Sequence, residues 1–387
     1  MTAVVRISPK GEARVQRGHP WVFRSDVTRA ERVEPGSVVR VQGPAGRPLG
    51  FAFFSSRSEI RLRMVSRDEA LPSTWLRDRI VEAVRWRETV AAGASACRLV
   101  HGEGDGLPSL IVDRYGEYLV IQTLSQATDR SKGEIVSALQ ELLSPKGILE
   151  RNDPKVRRLE GLEPMVSVLQ GEVPVTVEVE EGGIRFAVDL VQGQKTGAFL
   201  DQRENHLRVR SYARGRVLDA FTYDGGFALQ AAARADSVLA VDVSADAVGR
   251  VQANAARNGL TNVTAREANV FDLLRELHQG GERFDTVILD PPAFAKSRDA
   301  VEKARRGYKD INLRAMKLLK PGGCLVTCSC SYHIHEADFE EILVAAAVDA
   351  GVSATIVEKR RQARDHPIVL GVPETYYLKC FVLRRLS

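Results

Sequence analysis

The spacing of hydrophobic and polar positions changes twice along this chain. Over the first 70 residues, short apolar runs alternate with turns: Ser37-Val38-Val39-Arg40-Val41, a Gly/Pro-rich stretch at 43–50, Phe51-Ala52-Phe53-Phe54, and Ile60-Arg61-Leu62-Arg63-Met64-Val65. Short strands this close together, punctuated by Gly and Pro, predict a small β-barrel. Residues 75–92 switch to helical spacing, with Trp75, Ile80, Val84 and Val90 among the apolar positions. Strand-like runs at Ser109–Val112 and Tyr118–Ile121, a helix at about 128–143 and strands around 175–190 make a middle α+β piece. From about residue 210 strands and helices alternate. Strands are expected at 216–219, 238–242, 263–266, 285–290 and 324–328, with helices at 226–234, 245–258, about 298–319 and 336–350. That rhythm predicts a doubly wound parallel sheet. The fold class is α/β with a Rossmann-like domain, and the expected domains are 1–70 (β-barrel), 71–190 (central α+β) and 191–387 (Rossmann-like).

At 387 residues the chain exceeds one ordinary core. Its 44% apolar and 27% charged residues are those of a globular protein. No apolar run reaches the roughly 18–20 residues of a membrane span, and Met1–Arg6 lacks a secretory pattern. The five cysteines, Cys97, Cys324, Cys328, Cys330 and Cys380, are an odd and crowded set, not a disulfide framework, so a reducing cytoplasm is expected. The net charge of +5 is uneven: residues 1–70 carry thirteen Lys/Arg against seven Asp/Glu. Nearly all of the basic residues there are arginine, whose fork matches phosphate, which suggests a polyanion partner.

Ligands of doubly wound sheets bind at the carboxyl ends of the strands. The first strand ends at Asp219, followed by Ala220-Phe221-Thr222-Tyr223-Asp224-Gly225-Gly226. The second ends at Asp242, suited to accept both ribose hydroxyls. A pyrophosphate cofactor would want G-x-G-x-x-G at a helix N-terminus, and this loop has no such spacing. Asp219 with the looser Gly225-Gly226 suits a sulfonium cofactor carrying a cationic amine, S-adenosylmethionine. Asn269 and Val270, after the third strand, are placed for its adenine.

The fourth strand finishes in Asp290-Pro291-Pro292-Ala293-Phe294, a stiff turn that holds a carboxylate or carbonyl against a flat base. In amino-directed methyltransferases an aromatic follows the prolines directly; here that place is Ala293. The fifth strand runs Cys324-Leu325-Val326-Thr327-Cys328-Ser329-Cys330-Ser331. Carbon 5 of cytosine is too electron-poor to attack a methyl sulfonium directly. A thiolate adding to carbon 6 makes it nucleophilic, so that one hard step becomes two easier ones. Asp290 is placed to hydrogen-bond ring N3 in that adduct. Zinc is the competing use of Cys324, Cys328, Cys330, His333 and His335, but Cys-x-Cys is tighter than usual ligand spacing and no second pair appears; no metal is expected.

With Thr-Cys-Ser-Cys-Ser reached, the chain resembles the ribosomal RNA large-subunit cytosine-C5 methyltransferase family. The resemblance rests on Arg17-Gly18-His19-Pro20-Trp21-Val22-Phe23, Glu103-Gly104-Asp105-Gly106-Leu107-Pro108, the segments 193–203 (GQKTGAFLDQR), 290–297 (DPPAFAKS) and 307–312 (GYKDIN), and Asp365-His366-Pro367. It implies an N-terminal PUA domain, a central α+β domain and a class I methyltransferase domain using S-adenosylmethionine. The family's nucleophile falls on Cys330, with Cys328 in an overlapping Thr-Cys-Ser as the alternative. Phe199, Asp201, Gln202 and Arg203 are implied to close a cofactor pocket that also contains Asp219, Phe221, Gly225, Gly226, Asp242, Asn269, Val270 and Asp290. Lys195 or Lys296 is implied to contact RNA, and Arg14 and Arg17 of the basic N-terminal module are further candidate RNA contacts. Two positions depart from the family: Asn269 stands where Asp is usual and Tyr332 where a small residue is common.

The implied partner is large-subunit ribosomal RNA, with no membrane; the oligomeric state is open, a homodimer among the options. Two other functions compete: N-methylation of guanine or adenine through the Asp-Pro-Pro turn, and a non-catalytic RNA-binding assembly factor. If the basic N-terminal module docks RNA, replacing its arginines weakens RNA binding and flattens the dependence of log K on log salt, by about one unit of slope per lost phosphate contact. An unchanged slope in a filter-binding salt series counts against that role.

Overall fold

The computed structural model describes residues 2–295 and 298–386. Contacts divide the chain into two units. The first holds Met1–Val179, Val188–Leu200 and Arg364–Thr375; the second holds Glu180–Ala187, Asp201–Ala363 and Tyr376–Ser387.

The first unit contains two sheets. Its N-terminal sheet has six strands in the order Trp21–Phe23, Ile60–Ser66, Pro48–Phe54, Val38–Gln42, Val4–Ile7, Val27–Ala30. The two edge strands are consecutive in sequence, separated only by the Arg24–Asp26 turn. Three residues span at most roughly 10 Å, so the sheet must curl until its edges approach each other. In place of the expected closed barrel stands a curled half-barrel sheet whose edge strands are joined by a turn and share no ladder. Strict alternation drives the curl: Val39 and Val41 point inward while Arg40 does not, and Val5, Ile7, Val22 and Leu62 complete the core. The helix Pro9–Gln16 was not among the expected elements. Only Gly11 and Val15 are buried on it, too few for an apolar stripe. Its start is written instead in Ser8, whose Oγ accepts from Gly11 N at 3.1 Å, and in Pro9 at the first helical position.

The middle sheet orders Met165–Gly171, Gly147–Asn152, Tyr118–Thr123, Leu110–Tyr115 and Ala96–His101. Helix Trp75–Val90 covers it with Leu76, Ile80, Ala83, Val84 and Val90. Strand Gly147–Asn152 eluded the hydrophobic pattern because it buries Glu150, Arg151 and Asn152. Each is paired: Glu150 with Lys132 (2.7 Å) and Asn152 (2.7 Å), Arg151 with the Leu190 carbonyl (2.8 Å). Buried polar groups are tolerated when satisfied in this way.

Three of the signature segments meet inside this unit. Trp21 Nε1 donates to Glu103 (2.9 Å), and Arg87 makes a two-pronged bond to Asp105 (2.5 and 2.7 Å) while also donating to the Asp365 carbonyl (2.9 Å). Arg98 N donates to the Asp365 carboxylate (3.0 Å), and the Arg98 guanidinium grips Asp113 through two 2.8 Å bonds. Asp113, fully buried, also accepts from Thr196 Oγ1 at 2.6 Å.

The second unit is built on a seven-stranded sheet: β1 (Arg216–Ala220), β2 (Ser237–Asp242), β3 (Val263–Glu267), β4 (Phe284–Leu289), β5 (Leu319–Ser329), β6 (Ala354–Arg361) and β7 (Lys379–Arg385), in the order β3-β2-β1-β4-β5-β7-β6. Strands β1–β5 are parallel; β7 runs antiparallel between β5 and β6. Both faces are covered. Leu218, Ala220, Val287 and Leu289 pack against helices α3 (Val270–Gln279), α4 (Val301–Leu318) and α5 (Glu336–Ala350). Val217, Ile288, Val326 and Cys328 pack against α1 (Gly226–Ala232) and α2 (Ala245–Arg257). Burial on both faces explains the continuous apolar runs of the central strands.

The Arg98–Asp113 pair predicts a stability effect. Asp113→Ala removes the carboxylate that takes two bonds from the buried Arg98 guanidinium, costing about 3–5 kcal/mol; a urea midpoint unchanged from wild type would refute this.

Candidate active site

The loop after β1 doubles back through three left-handed residues, Phe221 (φ 67°), Tyr223 (φ 52°) and Gly225 (φ 92°). Asp219, 1% exposed, accepts from Thr222 Oγ1 on Oδ2 at 2.7 Å, while its Oδ1 has no partner among the described residues. Burial pushes its carboxyl up to about 7; the Thr222 bond opposes this, nearby Asp290 adds to it, and His206 opposes it. An acid desolvated in this way, with one oxygen orphaned, fits a ligand that brings a positive charge. Asp242 receives backbone N–H bonds from Tyr223 and Ser244, each at 3.0 Å and on different oxygens. These fix the carboxylate while leaving lone pairs for a diol. Asn269 caps α3, its side-chain oxygen accepting from Phe271 N at 2.9 Å. The Val270 side chain lies in the core, so only its backbone is left for a ligand. This donor set fits S-adenosylmethionine: a carboxylate for the amine, a second for the ribose, and a helix N-terminus beyond.

His206 carries no motif that would single it out in the sequence, yet it organises this loop. Its Nδ1 lies 3.0 Å from Glu181 Oε1, and its ring meets Phe227 edge-on at 4.6 Å. A Cβ on Gly226 would sit 2.4 Å from His206 Cε1. The glycine pair, expected to let a ligand approach, is thus also required by the left-handed turn at Gly225 and by this imidazole. Burial pulls the His206 imidazolium down, but Glu181, Asp224 and Asp290 outweigh it and hold the net shift upward.

At the end of β4, Asp290 N donates to the Ala220 carbonyl (3.3 Å), and its Oδ1 accepts from Gln202 Nε2 at 2.9 Å. Gln202 is steadied by Asn205 (2.6 Å), and Asp201 accepts from Tyr377 (2.8 Å). Arg203, half-buried, faces Glu204. At the end of β5 the two serines flanking Cys330 are fully buried: Ser331 Oγ accepts from Ala295 N (3.1 Å) and pairs with Tyr308 (2.9 Å). Cys330 between them is half-exposed, and its Sγ lies 3.8 Å from the Pro291 carbonyl, so the thiol abuts the Asp290-Pro291-Pro292 turn. Cys328 is fully buried opposite Cys380; burial first, then the neighbouring Cys380, holds its thiol well above the usual range. Phe294 packs against Tyr308, the rings tilted by 39° with centroids 4.6 Å apart.

The structure therefore brings Asp219, Phe221, Gly225, Gly226, Asp242, Asn269, Asp290 and Cys330 to the carboxyl ends of one sheet's strands. Asp201, Gln202 and Arg203 belong to the same unit. Phe199 and Lys195 belong to the first unit, the Lys195 ammonium 4.5 Å from the Phe199 ring centre. Arg14 is tied to Asp26 (2.6 Å) and lies over Phe23, which leaves its charge largely answered, whereas Arg17 is exposed. Lys296 lies outside the described residues. Among the described residues no helix is long and apolar enough to cross a membrane.

Comparison with known proteins agrees with this geometry. Residues 160–381 match the S-adenosylmethionine-dependent methyltransferase family and residues 5–67 match the PUA-like domain family. The chain is 41% identical to ribosomal RNA large subunit methyltransferase I of Shewanella amazonensis, covering 99% of this chain and 100% of the relative. It is 40% identical to the protein of the same name from Vibrio vulnificus, over 100% of both. Its fold superposes with a TM-score of 0.85 on the crystal structure of SMU.776, a methyltransferase complexed with SAH, at 21% identity and covering 99% of this chain and 100% of the other. With these matches along the whole chain, its parallel sheet and its PUA-like N-terminus, the chain belongs to the ribosomal RNA large subunit methyltransferase I family of S-adenosylmethionine-dependent enzymes.

Proposed function

We propose that this enzyme methylates carbon 5 of a cytidine in large-subunit ribosomal RNA, in the cytoplasm, through a transient bond from Cys330 to carbon 6. The relatives' name supplies the RNA, and the PUA-like module with exposed Arg17 supplies a cationic surface for it. One observation carries the chemistry. Of two cysteines two residues apart, Cys328 is sealed in the core while Cys330 stands half-exposed against the Asp-Pro-Pro turn.

On this reading the Cys330 sulfur forms a bond to carbon 6, and the carbon 5–carbon 6 π pair makes carbon 5 nucleophilic. S-adenosylmethionine, when bound, supplies the methyl group as an electrophile. Asp290, held on one oxygen by Gln202, donates its carboxyl proton to a hydrogen bond with ring N3 and so answers the negative charge moved into the ring. Loss of the carbon 5 proton to a base then restores the double bond as the sulfur–carbon 6 bond breaks. Asp219 holds the cofactor's amine, Asp242 its ribose, and Phe221, Asn269 and the Val270 backbone its adenine end; Asp201, Gln202 and Arg203 close the pocket. Lys195 and Lys296 join Arg14 and Arg17 as RNA contacts. A base flipped out of the RNA reaches the thiol most readily. Amino-directed methylation gains nothing from Phe294, whose ring is spent on Tyr308.

Cys330→Ala abolishes methyl transfer to ribosomal RNA, by about three orders of magnitude or more, while calorimetry shows cofactor binding unchanged; Cys328→Ala keeps activity within a few fold. The reverse pattern would move the role to Cys328, and full activity of Cys330→Ala would end the covalent reading. A second expectation concerns pH. Asp219 must be ionised to hold a cation, and its carboxyl is pushed up to about 7. Cofactor affinity therefore rises about tenfold between pH 5.5 and 7, and Asp219→Asn flattens that rise. A flat wild-type profile would remove Asp219 from the amine.

A further inference from the structure

Lys379, the first residue of β7, is 1% exposed and has no role in the reading above. A lysine is seldom buried unless a counter-charge accompanies it. Lys379 pairs across the ladder with Ser329 of β5 and with Arg361 of β6. Its Nζ donates to the carbonyls of Ser331 (2.8 Å) and Tyr377 (2.9 Å). The ammonium is therefore seated under the Ser329-Cys330-Ser331 turn, bonded to the residue that follows the cysteine. Two of its three protons are accounted for, and among the described residues no carboxylate forms an ion pair with it.

The carboxylates in its neighbourhood are committed elsewhere. Asp338 accepts from His335 N (3.0 Å) and pairs with Arg305 (2.9 Å); Glu336 accepts from Tyr376 (2.6 Å) and faces Lys359 (3.3 Å). On β6 the opposing residue, Arg361, is another cation. Tyr308, on the far side of Ser331, is held neutral by burial, its hydroxyl pushed up to about 12. Among the described residues, the titratable side chain immediately preceding the Ser331 carbonyl that holds the ammonium is the Cys330 thiol.

We propose that Lys379 is a positioning residue whose ammonium, anchored beneath the turn by two carbonyls, stabilises the Cys330 thiolate. This rests on Cys330 being the nucleophile. The thiol loses its proton to water, the ammonium keeps its own three, and no proton passes between them. The local electrostatics agree in direction: burial pushes Lys379 down to about 8, and Cys330, ahead of Asp338 and Glu336, pushes it back up. Coupling of this kind is reciprocal, so the cation lowers the thiol as the thiolate raises the lysine.

The test is the pH dependence of Cys330 alkylation in the full-length protein, read with iodoacetamide by mass spectrometry of its peptide. In the native wild type the midpoint falls at least about one pH unit below that of the same peptide in guanidinium-denatured protein. Lys379→Met raises the native midpoint and slows alkylation about tenfold near neutral pH, whereas Lys379→Arg, which keeps the charge, retains most of the low midpoint. A native midpoint at or above the denatured one overturns the proposal, as does a folded Met variant with an unshifted midpoint. Should the Met variant not fold, the native-against-denatured comparison decides. Trapping with 5-fluorocytidine-substituted ribosomal RNA separates this from the reading beneath it. A low, Lys379-dependent midpoint without a protein–RNA adduct retires the covalent mechanism and leaves the pairing standing; an adduct with an ordinary midpoint retires the pairing alone.

Discussion

Where β5 stops decides what this site can do. In a strand, residues two apart share a face, so a β5 longer by two residues would carry Cys330 into the same core as Cys328. The ladder with β7 instead ends at the Ser329–Lys379 pair, and the buried hydroxyl of Ser331, bonded to Ala295 and Tyr308, turns the chain away. One thiol is left in the core and the next at the surface of the pocket. The antiparallel β7 is thus more than a cover for the sheet edge: its pairing sets the register that separates two chemically identical side chains.

The same economy shows at the cofactor end. Asp219 and Asp242 occupy equivalent places at the ends of adjacent strands, but their surroundings differ. Asp242 is given two backbone donors, one on each oxygen, which fix its orientation. Asp219 is desolvated, shares its region with Asp290 and has one oxygen without a donor. Two identical carboxylates become a fixed acceptor and a group awaiting charge, purely through burial and hydrogen bonding.

Most of the parallel sheet was legible because its strands are buried on both faces and its helices carry one apolar stripe. The candidate site was legible where chemistry demands a residue type at a strand end: Asp219, Asp242, Asp290, Cys330. What escaped did so for physical reasons. Strand Gly147–Asn152 satisfies its buried charges locally, so it never reads as apolar. β6 and β7 lie beyond the repeating strand–helix rhythm, and with them Lys379 stayed hidden, since one lysine opening a strand gives no hint that it is buried. His206 was invisible because its partners, Glu181 and Gly226, are distant in sequence or carry no side chain. The choice between Cys328 and Cys330 needed the end of a strand, which sequence patterns place only to within a few residues.

The chain's route between its two units has a consequence for biosynthesis. Arg87 and Arg98, near the start, find their partner Asp365 some 270 residues later, after nearly the whole catalytic sheet has been made. A ribosome making this protein releases both arginines with Asp105 and Asp113 close behind, but one Arg87 donor and the Arg98 backbone N–H wait for Asp365. The first unit cannot be completed until the translation of segment Arg364–Thr375, so a segment made after most of the second unit completes the unit that was begun first.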